Sequence, residues 1–131
     1  MNDKSGQSYK DLIVWQKAMD LVVAVYELTE HYPKTELYGL TAHTNKTVIS
    51  IPPNIAEGKR RGSTRDFRRF LIIAFASGAE LETQLEIAKR LSFTEKINFS
   101  LVDKLLNEVM RMLNSMIHNF LISNSLLPTS Y

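Results

Sequence analysis

Between Lys59 and Arg69 stand six basic residues, Lys59, Arg60, Arg61, Arg65, Arg68 and Arg69, against the single acid Asp66. A local charge of +5 thus sits in a chain whose formal charge is only +2, and the remainder is mildly acidic. Such a cluster binds rather than makes or breaks bonds. Guanidinium and ammonium groups contact phosphate oxygens or carboxylates, and contact with phosphate ignores base identity and weakens with salt. Lys59, Arg60 and Arg61 precede Gly62 at the end of one helical pattern, where the macrodipole favours cations by ~0.3–1 kcal/mol each. They need no ligand. Arg65, Arg68 and Arg69 follow Ser63 in the first turns of the next pattern, where the dipole opposes them and Asp66 offsets that only in part. Arg65 and Arg69 are four apart and share a face. An external anion, the carboxylates of a protein partner or second subunit, and a solvated surface paired with acids such as Glu57 all account for the cluster.

The same stretch holds Pro52, Pro53, Asn54, Glu57 and Gly58. Neither proline has an N–H, and their rings press on the carbonyls of Val48 and Ile49, so a kink is expected there. Asn54 can hydrogen-bond into the kinked region, and Glu57 can pair with Arg60 or Arg61 at helical spacing. These residues, with Trp15, are assigned a structural part. No catalytic constellation is legible. The three histidines, His31, His43 and His118, follow Leu28, Leu40 and Ser115 by three positions, so the Glu-x-x-His of di-iron bundles is missing. The zincin His-Glu-x-x-His is missing too, and Gly58 and Gly62 lack the Lys-Ser/Thr of a phosphate loop. There is no cysteine, hence no disulfide or thiolate metal site. No enzyme activity, cofactor, metal or small-molecule substrate is expected.

Four helical patterns must position the cluster. The first spans about Tyr9 to His31, with Leu12, Trp15, Met19, Val22 and Tyr26 as its stripe and Ser8 and Asp11 as a capping box. The second spans about Thr35 to Arg61, with Leu37, Leu40, Val48, Ile51 and Ile55 inward and Gly58 and Gly62 as stop signals. The third starts at the Ser63 cap and ends near Arg90. Phe67, Leu71, Ala74, Gly78, Leu81, Leu85 and Ala88 step by four and three, and the small Ala74 and Gly78 mark a close helix approach. The fourth spans about Ser100 to Ile122, again with a Ser-x-x-Asp start, and has a broad apolar face from Val102 to Phe120. Helices of this size are ~30–40 Å long. Short connections predict a single all-α domain over 1–131, an antiparallel up-down-up-down four-helix bundle with its second helix kinked at Pro52-Pro53. Residues 1–8 and 123–131 are expected to be frayed tails.

No apolar run approaches the ~20 residues of a membrane helix, and Met1–Ser8 has no apolar signal segment, so a cytoplasmic location away from membranes is expected. The first helix also carries Val14, Leu21, Val25 and Leu28, and the fourth adds Leu101, Met110 and Leu121. Either the core is wide or these residues form a second buried surface in a homo-oligomer.

Tyr9-Lys-Asp-Leu-Ile-Val-Trp-Gln-Lys-Ala18, Tyr38-Gly-Leu-Thr41, Ser50-Ile-Pro-Pro-Asn-Ile-Ala-Glu-Gly58 and Glu80-Leu-Glu-Thr-Gln-Leu85 together resemble the bacterial four-helix bundle proteins named for reading frames inside intervening sequences of 23S rRNA genes. The resemblance runs from about Tyr9 to Phe120. It implies an antiparallel bundle that assembles as a ring-like homopentamer. A related branch, the accessory variability determinants of diversity-generating retroelements, implies binding to a reverse transcriptase and to nucleic acid through basic surface. Two departures remove positive charge. Asn45-Lys46-Thr47-Val48 stands where the family usually has a basic pair followed by Ala-Ala, and Phe75-Ala76-Ser77 where it often has Arg-Gly-Ser. The expectation is a self-assembling bundle with low-specificity contact to RNA or DNA through Lys59, Arg60, Arg61, Arg65, Arg68 and Arg69. The alternative is an adaptor ring for a protein such as a reverse transcriptase.

Overall fold

The structure is a computed structural model that describes residues 8–123, with side chains as far as Phe120. The tails expected at 1–8 and 123–131 lie outside it except for Ser8 and Ser123. Ser8 is ordered. Its Oγ accepts from Lys10 N at 3.2 Å and closes a 3-10 turn, Tyr9–Asp11. Leu12 is then extended, with φ −72° and ψ 126°, and helix α1 (Ile13–Thr29) begins only after it. The continuous helix expected from Tyr9 is therefore interrupted. Gln16 Nε2 donates to Lys10 O at 2.9 Å and ties the turn to the helix.

Which stripe of α1 faces inward is also corrected. Val14, Ala18, Leu21, Val25 and Leu28 are buried; of the expected stripe Leu12 is buried just before the helix, Trp15 and Val22 are half-buried against the core, and Met19 and Tyr26 are exposed. Both stripes have helical spacing. The one containing Ala18 lets neighbouring backbones come closer, and it forms the core.

The second helix is shorter at its start and broken in its middle. Lys34–Glu36 is a 3-10 turn, and Leu37–Thr41 is a wide turn in which Gly39 leaves helical geometry at φ −107°, ψ −111°. Regular helix starts at Ala42, not Thr35, so Leu37 is exposed and Leu40 only half-buried. Helix α2 (Ala42–Ile49) stops at Ser50, and α3 (Ile51–Arg60) follows. The break falls two residues before Pro52. Both prolines then occupy the first turn of α3, where an N–H has no helical partner in any case. Val48, Ile51 and Ile55 on either side of the break are fully buried.

Gly58 and Gly62 do different things. Gly58 lies inside α3, and a Cβ there would stand 2.7 Å from Phe70 Cβ. It is a packing residue, not a stop. Gly62, at φ +84°, takes the left-handed conformation that ends the helix. Helix α4 (Thr64–Arg90) starts with Ser63 Oγ accepting from Asp66 N at 3.1 Å, and all seven residues of its expected stripe are buried. Phe70 is buried beside them. Helix α5 (Ser100–Ser123) presents Val102, Leu105, Leu106, Val109, Leu113, Met116, Ile117 and Phe120 to the core, with Met112 half-buried. Its start is held by Asn98 Oδ1, which accepts from Ser100 N at 2.9 Å, so Asn98 supplies the cap expected of Ser100. Met110, expected either in a wide core or on a second buried surface, is buried against Gly78. Leu101 is exposed, and the side chain of Leu121 lies outside the described residues.

The described residues form four helices, the second in two pieces, and no strand. Their pairings fix the register. Thr47 bonds Gln84, Ser50 bonds Ser77, and Gly58 meets Phe70. Asp103 pairs with Lys89, Met110 meets Gly78, and Ile117 O accepts from Arg68. Lys17 pairs with Glu108 and Thr29 bonds Asn45. The hydroxyl and amide contacts, at Asn45, Thr47 and Ser50, run along α2 and its end beside α1 and α4. No described helix is long and apolar enough to cross a membrane.

Candidate nucleic-acid interface

The end of α3, the Gly62 turn and the start of α4 bring all six basic residues to one end of the bundle, but in two groups with different surroundings. Lys59, Arg60 and Arg61 are tied down on the α3 side. Lys59 Nζ stands 6.0 Å from the centre of the Phe67 ring. The Arg60 guanidinium lies 5.4 Å from the centre of the Tyr9 ring. Arg61 bonds Glu57 Oε2 at 2.7 Å through Nη2 and sits 4.9 Å from the Phe70 ring centre. A cation over an aromatic face gains ~0.5–1 kcal/mol at an exposed site. An exposed ion pair adds ~0.2–1 kcal/mol. Arg61 thereby has its charge partly met within the chain, whereas Arg60 keeps its charge and gains a fixed position.

The α4 group is more open. Arg65 is exposed and forms no ion pair with the described residues. Arg69 lies 4.8 Å from the Phe70 ring centre, and its nearest carboxylate oxygen, Asp66 Oδ1, is 3.9 Å away. Arg68 donates from Nε to Ile117 O at 3.0 Å, which turns it toward α5 and leaves its terminal nitrogens uncommitted to that bond. With Ser63, Asp66 and Ile72, these three arginines line a shallow depression of about 590 Å³. Three guanidiniums around one open concavity can hold an anion. Among the described residues no group of three or more His, Cys, Asp or Glu side chains could hold a metal ion.

The structural group divides as well. Asn54 Nδ2 donates to Ser50 O at 2.8 Å, across the helix break, and not to the carbonyls of Val48 or Ile49 on which the proline rings were expected to press. Glu57 pairs with Arg61, not with Arg60. Pro52 is buried and Pro53 exposed. Trp15 packs edge-on to Tyr9 with ring centres 5.4 Å apart, so the Tyr9–Asp11 turn reaches the basic end through Arg60.

Sequence reasoning missed Tyr9 and Phe70, the rings beneath Arg60, Arg61 and Arg69. Phe70 carries a legible signal: it lies four residues before the stripe residue Ala74 and three after Phe67. Tyr9 carries none, because its contact with Arg60 joins residues remote in the chain. It also missed the buried phenol of Tyr32, packed edge-on against Phe93 beyond the far end of α4. The Tyr32 hydroxyl has no hydrogen-bond partner among the described residues, and burial pushes its pKa up to about 12.

Against known families, residues 10–115 match the 23S rRNA-intervening sequence protein family. No curated protein matches the chain.

Proposed function

We propose, from the premise that the chain belongs to the 23S rRNA-intervening sequence protein family, that it is a non-enzymatic, self-assembling helical bundle which contacts RNA or DNA phosphates without sequence preference. The observation that carries this reading is the depression at the start of α4, where Arg65, Arg68 and Arg69 converge and Arg65 has no ion pair among the described residues. Lys59, Arg60 and Arg61 extend the positive surface along the end of α3. The bundle is read as antiparallel and up-down-up-down, which the descending-against-ascending pairings of α2 and α3 with α4 (Thr47 with Gln84, Ser50 with Ser77, Gly58 with Phe70) and of α4 with α5 support. It is read as a cytoplasmic homopentamer. Exposed Ile13, Met19, Val23 and Tyr26 on α1 and Ile72, Ile73 and Ile87 on α4 support assembly, because they leave apolar surface on two helices of one copy.

The test is fluorescence anisotropy of a labelled RNA across salt concentrations, with wild type beside an Arg65→Ala/Arg69→Ala double variant. That pair spares Arg68, whose bond to Ile117 O holds α4 to α5. Each phosphate neutralised on a single strand contributes about 0.7 to the steepness of log K against log salt, so the double variant should be shallower by about 1.4. No binding at low salt, or an unchanged slope, overturns the phosphate reading.

A second reading is an adaptor ring that presents a surface to a protein such as a reverse transcriptase, the activity of the retroelement-associated branch. The exposed apolar side chains on α1 and α4 favour it, as does Arg61's pairing within its own chain. Complex formation with a protein partner that persists at high salt is its expected signature.

A further inference from the structure

The basic end is not made of cations alone. The Tyr9–Asp11 turn packs against α3 and sets Tyr9 under Arg60, with Trp15 edge-on behind it at 5.4 Å and 71°. Tyr9 and Trp15 are half-buried, whereas Phe67 and Phe70, the other rings beside the arginines, are buried and closed to a planar ligand. Tyr9 and Trp15 pack against the core with one part of each ring and leave the rest partly open, so with the Arg60 guanidinium they form a short row of π-groups at the end of the bundle that also carries Arg65 and Arg69. A duplex presents only phosphates to such a surface, since its base faces are stacked inside. A single strand presents both, and base stacking on aromatic rings or on Arg planes needs no particular sequence.

We infer that the ligand class of this surface is single-stranded nucleic acid, with bases stacking on the Trp15–Tyr9–Arg60 row while Arg65 and Arg69 hold the backbone. The inference rests on the phosphate-contact reading and adds a preference for unpaired strands. Arg60 takes part in both halves, as a stacking plane and as a charge.

Trp15 is the only tryptophan of the chain, so its emission reports on this row directly. The experiment titrates the wild-type protein with an oligouridine and with an RNA duplex of the same length, reading probe anisotropy and Trp15 emission together. The expected result is tighter binding of the oligouridine, accompanied by quenching of Trp15. A Tyr9→Leu variant, whose fold is verified by its helical circular dichroism and melting midpoint, should bind oligouridine about tenfold more weakly and leave duplex binding within about twofold. Equal affinity for duplex and single strand without Trp15 quenching overturns the single-strand inference and leaves phosphate contact standing. Binding of neither probe at low salt overturns phosphate contact and this inference with it. The wild-type comparison decides between these outcomes even if Tyr9→Leu is unstable.

Discussion

Adding one methyl group at Gly58 should destabilise the bundle, although it would normally stabilise a helix. Alanine is better than glycine inside a helix by about 1 kcal/mol. At Gly58, however, the new Cβ would lie 2.7 Å from Phe70 Cβ, 3.1 Å from Phe67 Cδ1 and 3.3 Å from Phe67 O. Phe70 Cβ and Phe67 O move only with the α4 backbone, so relief requires α3 and α4 to separate by roughly an ångström. Overpacking costs about 1–3 kcal/mol, and relief by backbone movement puts this site in the upper part of that range, at about 2–3 kcal/mol. The net expectation for Gly58→Ala is a loss of about 1–2 kcal/mol. At about 3–5 °C per kcal/mol for a chain of this size, the melting midpoint falls by about 3–10 °C. Gly78→Ala is the control. A Cβ there runs into the thioether of Met110, the far end of a side chain with three rotatable bonds, which can swing aside. The propensity gain then offsets most of the cost, and the change should stay within about 0.5 kcal/mol. Urea denaturation followed by circular dichroism, at one fixed protein concentration because association would shift the midpoint, measures both. A Gly58→Ala variant as stable as wild type, or equal losses at the two glycines, would refute the argument that the α4 backbone, not a side chain, sets the separation.

Two other perturbations follow from single contacts. Asn54→Ala removes the bond to Ser50 O across the helix break, and after the better helix propensity of alanine is counted the loss should be about 0.5–1 kcal/mol by urea midpoint; an unchanged midpoint refutes a structural part for Asn54. Tyr32 has a phenol raised by burial from 10.0 to about 12, so the folded chain keeps its proton while the unfolded chain loses it. Stability should be insensitive to this group below pH 10 and fall by about 1.4 kcal/mol per pH unit between pH 10 and about 12. In Tyr32→Phe that component of the alkaline loss should vanish, and stability at neutral pH should be no lower, because the buried hydroxyl it removes has no partner among the described residues.

Helix α4 is legible in full because one cap, one uninterrupted stripe and one terminus agree. Ser63 starts it, and each residue from Phe67 to Ala88 in the stripe is buried. Helix α1 misleads because it carries two apolar stripes of equal spacing, and large side chains such as Trp15 and Met19 outweigh Ala18 in the pattern. Burial depends on how closely the neighbours approach, and Ala18, fully buried, marks that approach better than its size suggests. The two glycines of the α3–α4 turn show the same limit. Their order in the chain does not distinguish packing from termination, whereas Phe70 beside Gly58 and the positive φ of Gly62 do. In the candidate interface the six cations are legible and their division is not. Spacing offers Glu57 both Arg60 and Arg61, and it pairs only with Arg61, while Tyr9 and Ile117 O reach Arg60 and Arg68 from remote parts of the chain.

The rings and carbonyl beneath the arginines also bear on when side-chain freedom is lost. A free arginine on a surface samples many rotamers, and immobilising it on a ligand costs about 0.5–1.5 kcal/mol. Arg60 over Tyr9, Arg61 and Arg69 over Phe70, and Arg68 against Ile117 O are restricted as soon as the chain folds. The entropy of ordering them therefore burdens the stability of the bundle, not the affinity of an incoming anion. Arg65, which has no such support among the described residues, is the one arginine of the cluster that still has that freedom to lose on binding.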